Sequence, residues 1–342
     1  MMKRLFLILF LCSVLLTGCR TPGKAGQQQY TATFLNLFDT VTTIVGQADS
    51  QEAFQTQANA IRDDLQRYHQ LFDIYHSYEG MANLKTINDN AGIAPVQVDP
   101  ILIQFLLDCR EYYRLTDGRV NMAMGSVLQL WHEARNQGIQ DPANAQLPDP
   151  EALQAAALHT NMENLQIDAG TGTVYISDPL MQLDVGAVAK GWATQRAAEN
   201  APAGMLISVG GNVCATGPKL SDGTPWVIGI QDPNQASQNI HAIYVTGGSV
   251  VTSGDYQRTY HVDGVAYHHI IDPDTRMPAQ HWRSVTVVCA DSGLADALST
   301  GLFLMDHAQG LALAKACGAE VLWIAPDGTE YMTDGFRSQL RS

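Results

Sequence analysis

The sequence is short of positive charge, of closely spaced cysteines and of long apolar runs. Of its 342 residues, 20 are Lys or Arg against 34 Asp or Glu, a net charge of −14. Nucleic-acid phosphates are held by Lys and Arg, so this balance excludes a general nucleic-acid binder; the acidity reads instead as solubility. Six cysteines are present, none in a Cys-x-x-Cys pair, which leaves a zinc site without support. No Gly-x-Gly-x-x-Gly or Walker loop occurs, no block of like charges and no internal repeat. The longest apolar stretch, Leu5 to Leu16, is too short for a comfortable membrane span.

What is present begins with that stretch. Lys3 and Arg4 precede it and Leu16-Thr17-Gly18-Cys19 follows, which resembles a bacterial lipobox behind a signal peptide. The expectation is a signal peptide over 1–18, with Cys19 receiving diacylglycerol. A flexible tether over 19–29, carrying Pro, Gly and Gln, then leads to one domain over 30–342. The protein would be extracytoplasmic, anchored to the outer face of the membrane, since each buried acyl CH₂ contributes about 0.8 kcal/mol. Four other cysteines remain in the domain, Cys109, Cys214, Cys289 and Cys317. Cys289 sits in the apolar run Val285–Ala290, which favours a buried thiol, and no disulfide is expected.

Hydrophobic residues make up 46%, enough for a sizeable core. Periodicity predicts helices over 52–72, 100–116, 126–137, 151–158, 187–198, 293–304 and 308–317. Strands are expected over 40–45, 205–209, 226–231, 240–245, 248–252, 259–262, 285–289 and 320–324, with a hairpin of 165–168 and 173–176. There is no regular βαβ alternation. The expected class is therefore α+β, with mixed, largely antiparallel sheets and flanking helices.

Several segments concentrate chemistry. In Asp184-Val185-Gly186-Ala187-Val188-Ala189-Lys190-Gly191 an acid ends a strand and small residues open a helix, whose free N–H groups favour anions; tight helix–sheet packing is the plainer explanation. Gly210-Gly211-Asn212 is either a simple turn or a close backbone approach to a ligand. Thr252-Ser253-Gly254-Asp255-Tyr256-Gln257-Arg258 gathers hydroxyls, an acid and an arginine. In His268-His269-Ile270-Ile271-Asp272-Pro273-Asp274-Thr275, at the edge of an apolar strand, His269 is a plausible general base. Asp296 and Thr300, in Ala295–Thr300, fall one helical turn apart on one face. A carboxylate, a hydroxyl and a main-chain carbonyl form the oxygen-only set that Mg²⁺ requires; a helix cap and a buried Thr would leave the same trace.

Taken together, in this order and spacing, these segments resemble the ApbE family of FAD:protein FMN transferases, from about Phe34 to Asp334. The resemblance implies an ApbE-like, T-fold-related domain that binds FAD and Mg²⁺. It would transfer FMN to a Thr or Ser hydroxyl of an acceptor protein and release AMP. The implied acceptors are exported flavoproteins of respiratory or extracellular reductase type. By motif position, the Ala187 carbonyl, Asp296 and Thr300 would hold Mg²⁺, with Ser299 a further oxygen. Asp184, Lys190, Gly211, Asn212 and Ile270 would contact FAD, and His269 would be the base. Phe38, Tyr75, Arg119, Val120 and Asn121 would line the flavin pocket. The same site would serve Mg²⁺-dependent hydrolysis of FAD to FMN and AMP; a flavin-binding lipoprotein without catalysis is a third reading. Two positions depart from the family pattern. Arg276 stands where a Gly is usual, which costs strain if that backbone needs a positive φ or re-shapes the rim toward a different acceptor. Asn121 stands where many members carry Asp.

Overall fold

In the computed structural model of the protein, residues 28–341 are described. The expected signal peptide, Cys19 and most of the tether lie outside the described residues. A hairpin of β1 (Gln28–Leu37) and β2 (Thr40–Ala48) opens the fold and leads into the long helix α1 (Gln51–Phe72). Gln28 and Gln29, expected in the tether, thus already belong to a strand. Next come α2 (Leu84–Asp89), the short β3 (Val96–Gln97), α3 (Pro100–Leu115), α4 (Gly125–Gln140) and α5 (Pro150–Ala156). The expected hairpin is β4 (Leu165–Asp168) with β5 (Thr173–Ile176), and β3 adds to its edge. Then follow α6 (Ala189–Asn200), β6 (Met205–Val209), β7 (Asn212–Ala215), β8 (Trp226–Asp232), β9 (Gln235–Val245) and β10 (Gly248–Gly254). A small hairpin, β11 (Tyr260–Val262) and β12 (Val265–Tyr267), precedes β13 (Ser284–Cys289). The chain ends with α7 (Ser292–Phe303), α8 (His307–Ala316), β14 (Glu320–Ile324), β15 (Glu330–Met332) and α9 (Asp334–Gln339).

The main sheet has eight strands in the order β1-β2-β6-β7-β10-β13-β14-β15, and every neighbouring pair is antiparallel. The expected α+β class with antiparallel sheets is therefore what the chain forms. Its central strands are covered on both faces, which is why they read as continuous apolar runs. In β13 and β14 successive side chains alternate between two cores, as a period of two dictates. Val285, Val287, Val321 and Trp323 pack beneath α7 and α8. Val288, Leu322 and Ile324 meet the β8–β9 hairpin and Phe336 of α9 on the opposite face.

The helical layer is held by ordinary devices. Ser50 caps α1 through Ala53 N–H, and Asp291 caps α7 through Leu294 N–H at 2.7 Å. Along α1, Phe54, Ala58, Ile61 and Leu65 are buried at helical spacing; each large side chain contributes roughly 1.5–3 kcal/mol. Phe72 at its end stacks on Phe105 of α3, and both pack edge-on to Trp192 of α6. The end of α1 and the start of α6 are thereby fixed to one another, and both border the cavity described next.

One expectation is corrected. His268–Ile271 does not lie in a strand; only Ile271 makes an isolated bridge, to Pro278. Asp272 accepts the N–H groups of Asp274 and Thr275 and turns the chain before a ladder can form.

Candidate active site

A cavity of about 430 Å³ opens where the end of α1, the face of α4, the start of α6, the Gly210–Asn212 turn, the end of β10 and α7 converge. It collects most of the residues singled out in the sequence.

Its floor is the contact of α6 with α7. A Cβ on Gly191 would lie 2.3 Å from Asp296 Cβ and 2.4 Å from the Ser292 carbonyl, so only Gly lets these helices approach this closely. Asp296 is 4% exposed. Its Oδ2 accepts Gly191 N–H at 2.7 Å, and Lys190 Nζ stands 3.9 Å away. Burial raises its pKa, and Lys190, the Gly191 N–H and the adjacent Asn212 amide offset only part of that. Asn212 Nδ2 is itself buried beside this carboxyl without a hydrogen bond of normal geometry.

A regular helix would have given the Gly191 N–H to the Ala187 carbonyl. Because Asp296 takes it, α6 starts at Ala189, two residues later than expected. No hydrogen bond to the Ala187 carbonyl is found among the described residues. The start of α6 also has no side-chain cap, which suits an anion. Thr300, one turn after Asp296, lines the same cavity. A freed carbonyl, a buried carboxylate whose desolvation is only partly offset, and a hydroxyl fit a hard cation such as Mg²⁺. Among the described residues no three His, Cys, Asp or Glu side chains gather for a metal; a set with a single carboxylate is not of that kind.

Ser299 is placed differently from Thr300. It is fully buried and does not line the cavity. Its hydroxyl bonds Ser253 Oγ at 2.8 Å and the Asp296 carbonyl at 2.9 Å, so it ties α7 to β10 behind the floor.

His269 stands on the wall, partly open to the cavity. Its Nδ1 is 3.2 Å from the Gln257 carbonyl. A carbonyl only accepts, so Nδ1 carries the proton and Nε2 is the free base. Burial, then the charges of Arg258, Lys190 and His268, hold its pKa down to about 3. His268 faces away: its Nδ1 accepts Ile270 N–H and its Nε2 meets the Ala279 carbonyl at 2.8 Å. It sets the backbone that carries His269 and the buried Ile270, which lines the cavity.

The remaining wall residues divide into free and engaged. Phe38 lies in the β1–β2 turn at φ 53, its N–H held by His69 Nδ1. Tyr75 projects from the loop after α1. There Asp73 accepts Tyr75 N–H, His76 N–H and Tyr78 O–H, and Tyr75 Oη meets His132 Nδ1 at 3.1 Å. Asp184 lines the cavity with Oδ1 on Gly186 N–H. Arg119 and Asn121 also line it, but their polar ends are used within the chain. Arg119 pairs with Asp274 at 2.6 Å; Asn121 bonds the Thr160 carbonyl and Ala123 N–H. Val120 is buried beside them. Gly211 does not line the cavity; Gly210 does, at φ 58, where a Cβ would meet Thr40 at 2.7 Å. Arg276 has φ 61, so the departure noted in the sequence does occupy a left-handed position, at a cost of about 1–2 kcal/mol.

His132 and Asp73 were not singled out by sequence reasoning, whereas Gly210 was, within the Gly210-Gly211-Asn212 turn. A signal existed for the first: Met124, Leu128 and His132 all line the cavity at intervals of one helical turn on α4. Asp73 acts through backbone geometry that only the fold reveals.

An antiparallel α+β fold around one deep cavity lined with oxygen and nitrogen groups defines a small-molecule-handling enzyme scaffold. The ApbE family model matches residues 38–323. The FAD:protein FMN transferase of Treponema pallidum (strain Nichols) is 34% identical over 277 residues, 75% of each chain. That of Vibrio cholerae is 28% identical over 348 residues, 98% of each chain. The crystal structure of the ApbE protein of Thermotoga maritima superposes with a TM-score of 0.81 at 32% identity, covering 92% of this chain and 100% of that one. The flavin transferase ApbE of Vibrio cholerae gives 0.75 at 26%, with the same coverage. The chain belongs to the ApbE family.

Proposed function

We propose that the chain transfers the FMN half of FAD to a Thr or Ser hydroxyl of an acceptor protein, with Mg²⁺ assisting and AMP leaving. The observation that carries this reading is one cavity holding both the Ala187–Asp296–Thr300 oxygen set and a neutral imidazole with a free Nε2. The transferase names of the relatives support it.

In the reaction the acceptor oxygen bonds to the FMN phosphorus as the phosphoanhydride P–O bond breaks, and AMP leaves with the electron pair. Such transfers depend on positioning and charge neutralisation more than on covalent help. Mg²⁺ held by Ala187, Asp296 and Thr300 would polarise the phosphoryl oxygens. Lys190 and the uncapped start of α6 receive the phosphates. His269 Nε2 takes the proton of the acceptor hydroxyl. Its low pKa makes it a weak base in the free protein. The anionic phosphates offset the Lys190 charge that helps to hold it down, so its basicity rises when substrate is bound. Phe38 and Tyr75 offer rings to the isoalloxazine. The lipobox reading puts the protein on the outer face of the membrane, with exported flavoproteins as acceptors; a mature protein that does not begin at a diacylglycerol-modified Cys19 by mass spectrometry would refute the anchor.

The direct test incubates the protein with FAD, Mg²⁺ and an exported candidate flavoprotein and weighs the products. An acceptor heavier by one FMN is expected, and none with Asp296→Ala. Free FMN and AMP with an unchanged acceptor would mean hydrolysis. Unchanged FAD that stays bound would mean a binding protein. Undiminished Mg²⁺-dependent turnover in Asp296→Ala would remove the metal assignment.

A further inference from the structure

Among the described residues, two arginines beside His269 lack a hydrogen-bonded or ion-paired partner. Arg258 follows β10 and lines the cavity; Arg135 stands on α4, one turn after Trp131. A small recess off the cavity is walled by both, together with His132 and His269. Arg62, Arg67, Arg114, Arg119, Arg196 and Arg283 each pair with a carboxylate. Among the described residues, Arg135 and Arg258 have neither an ion pair nor a side-chain hydrogen bond. The acid that faces Arg135 is Asp184, and its Oδ1 is taken by Gly186 N–H.

Burial, then the charge of Arg258, pushes the Arg135 guanidinium's pKa down, and Tyr75 and Asp184 offset only part of this. Arg135 is thus half-buried beside a second, exposed cation, and among the described residues Tyr75 and Asp184 repay only part of the cost. We propose that Arg135 and Arg258 form a carboxylate-recognition subsite that takes an Asp or Glu side chain of the acceptor protein, next to the hydroxyl that receives the flavin. This rests on the flavin-transfer reading above and specifies which acceptors that site takes.

Two arguments favour a carboxylate of the acceptor. Guanidinium forks match carboxylates in bidentate geometry. Position is the second: Arg258 acts on His269, where the acceptor hydroxyl must come, whereas Asp296 feels Lys190 and neither arginine. The net charge of −14 works the other way, since it repels an acidic partner at long range. Short-range contact with a local cationic pair can still select one acidic segment. The other source of an anion at this place is the phosphate of the dinucleotide, and the experiment separates the two.

The probes are two pools of fluorescent peptides, each with one fixed Thr. One pool carries Asp at every flanking position in turn, the other Asn. Binding to the full chain, saturated with FAD and without added Mg²⁺, is read by anisotropy. The Asp pool should bind about tenfold tighter or more, as charge-assisted hydrogen bonds imply. In the R135Q/R258Q double variant that preference should vanish while FAD affinity, read from flavin fluorescence, stays within twofold. The peptide comparison on the unaltered protein needs no variant to fold. Pools that bind alike, or not at all, would overturn the proposal. A tenfold or larger loss of FAD affinity in the double variant would also overturn it and assign the arginines to the dinucleotide phosphates. Failure of the underlying reading looks different: Asp peptides preferred, yet no peptide gaining FMN mass when Mg²⁺ is added.

Discussion

The Gln257 carbonyl fixes the tautomer of His269, and burial with neighbouring cations fixes its charge. A base works only when deprotonated, so its rate contribution is lost as pH falls through its pKa. An unperturbed histidine would show that loss near 6.5; here it is displaced far to the acid side. The expected kcat/KM profile of the free protein is flat from about pH 8 to 5. An acid limb near pH 6.5 that vanishes in His269→Ala would show that the imidazole is not held down as described. The same substitution should slow transfer by roughly 10²–10⁴-fold and leave FAD affinity intact. Legibility at this scale was uneven for physical reasons. Asp296, Thr300 and His269 were legible as cavity residues because a carboxylate, a hydroxyl and an imidazole at those spacings stand out from their small and apolar neighbours. Ser299 has the same hydroxyl as a ligand and cannot be told from one by type; the fold spends it on Ser253. Arg276 was readable only as a condition on φ, and the observed 61° meets it.

Among the elements, the pairing of α6 with α7 governs the site. Gly191 is the point of closest approach, and its N–H goes to Asp296 because its missing side chain lets α7 come that near. One contact therefore positions the carboxylate, breaks the first helical hydrogen bond and frees the Ala187 carbonyl. Gly191→Ala must push Asp296 or the Ser292 backbone away. Overpacking of this kind costs about 1–3 kcal/mol, and a lower denaturation midpoint is expected. The sharper expectation is functional: the Mg²⁺ concentration for half-maximal rate should rise, while FAD affinity in its absence should change little. A stable Gly191→Ala protein with an unaltered Mg²⁺ requirement would uncouple the helix contact from the metal set. The sequence placed both helices to within two residues, because β-strand, small-residue turn and amphipathic run follow one another there. It did not reveal that α6 starts late, since the cause is a carboxylate 105 positions away in the chain. Strands β1, β7 and β15 escaped for a similar reason. Two are four residues or shorter and the other is half polar, so their pairing partners rather than their own pattern make them strands.

For the molecule as a whole, acid should be a destabilising direction, and three histidines around the site show why. His132, His268 and His269 all have pKa values lowered chiefly by burial. Between about pH 7 and 5 the unfolded chain binds protons at these positions and the folded chain does not, so stability falls as pH falls. One buried and one half-buried carboxylate work against that slope. Burial raises Asp255 and Asp296, so in acid the folded chain takes up protons there before the unfolded one does. The sign of the total therefore cannot isolate the histidines, but a difference between two proteins can. His268 suits this comparison because its role is structural and its tautomer is fixed: Nδ1 accepts Ile270 N–H, so protonation there would break that bond. In His268→Gln the side-chain amide can reproduce both contacts without titrating. Asp296 does not feel His268 and cancels in the comparison; Asp255, whose pKa His268 lowers, rises further in the variant and shifts the difference in the same direction. The variant should therefore lose less melting temperature than the parent between pH 7.5 and 5, and the gap should open below about pH 6.5, where the unfolded histidine begins to protonate. Curves that stay parallel across that window would mean that His268 is protonated as easily folded as unfolded, and that the backbone carrying His269 is held by something other than this imidazole.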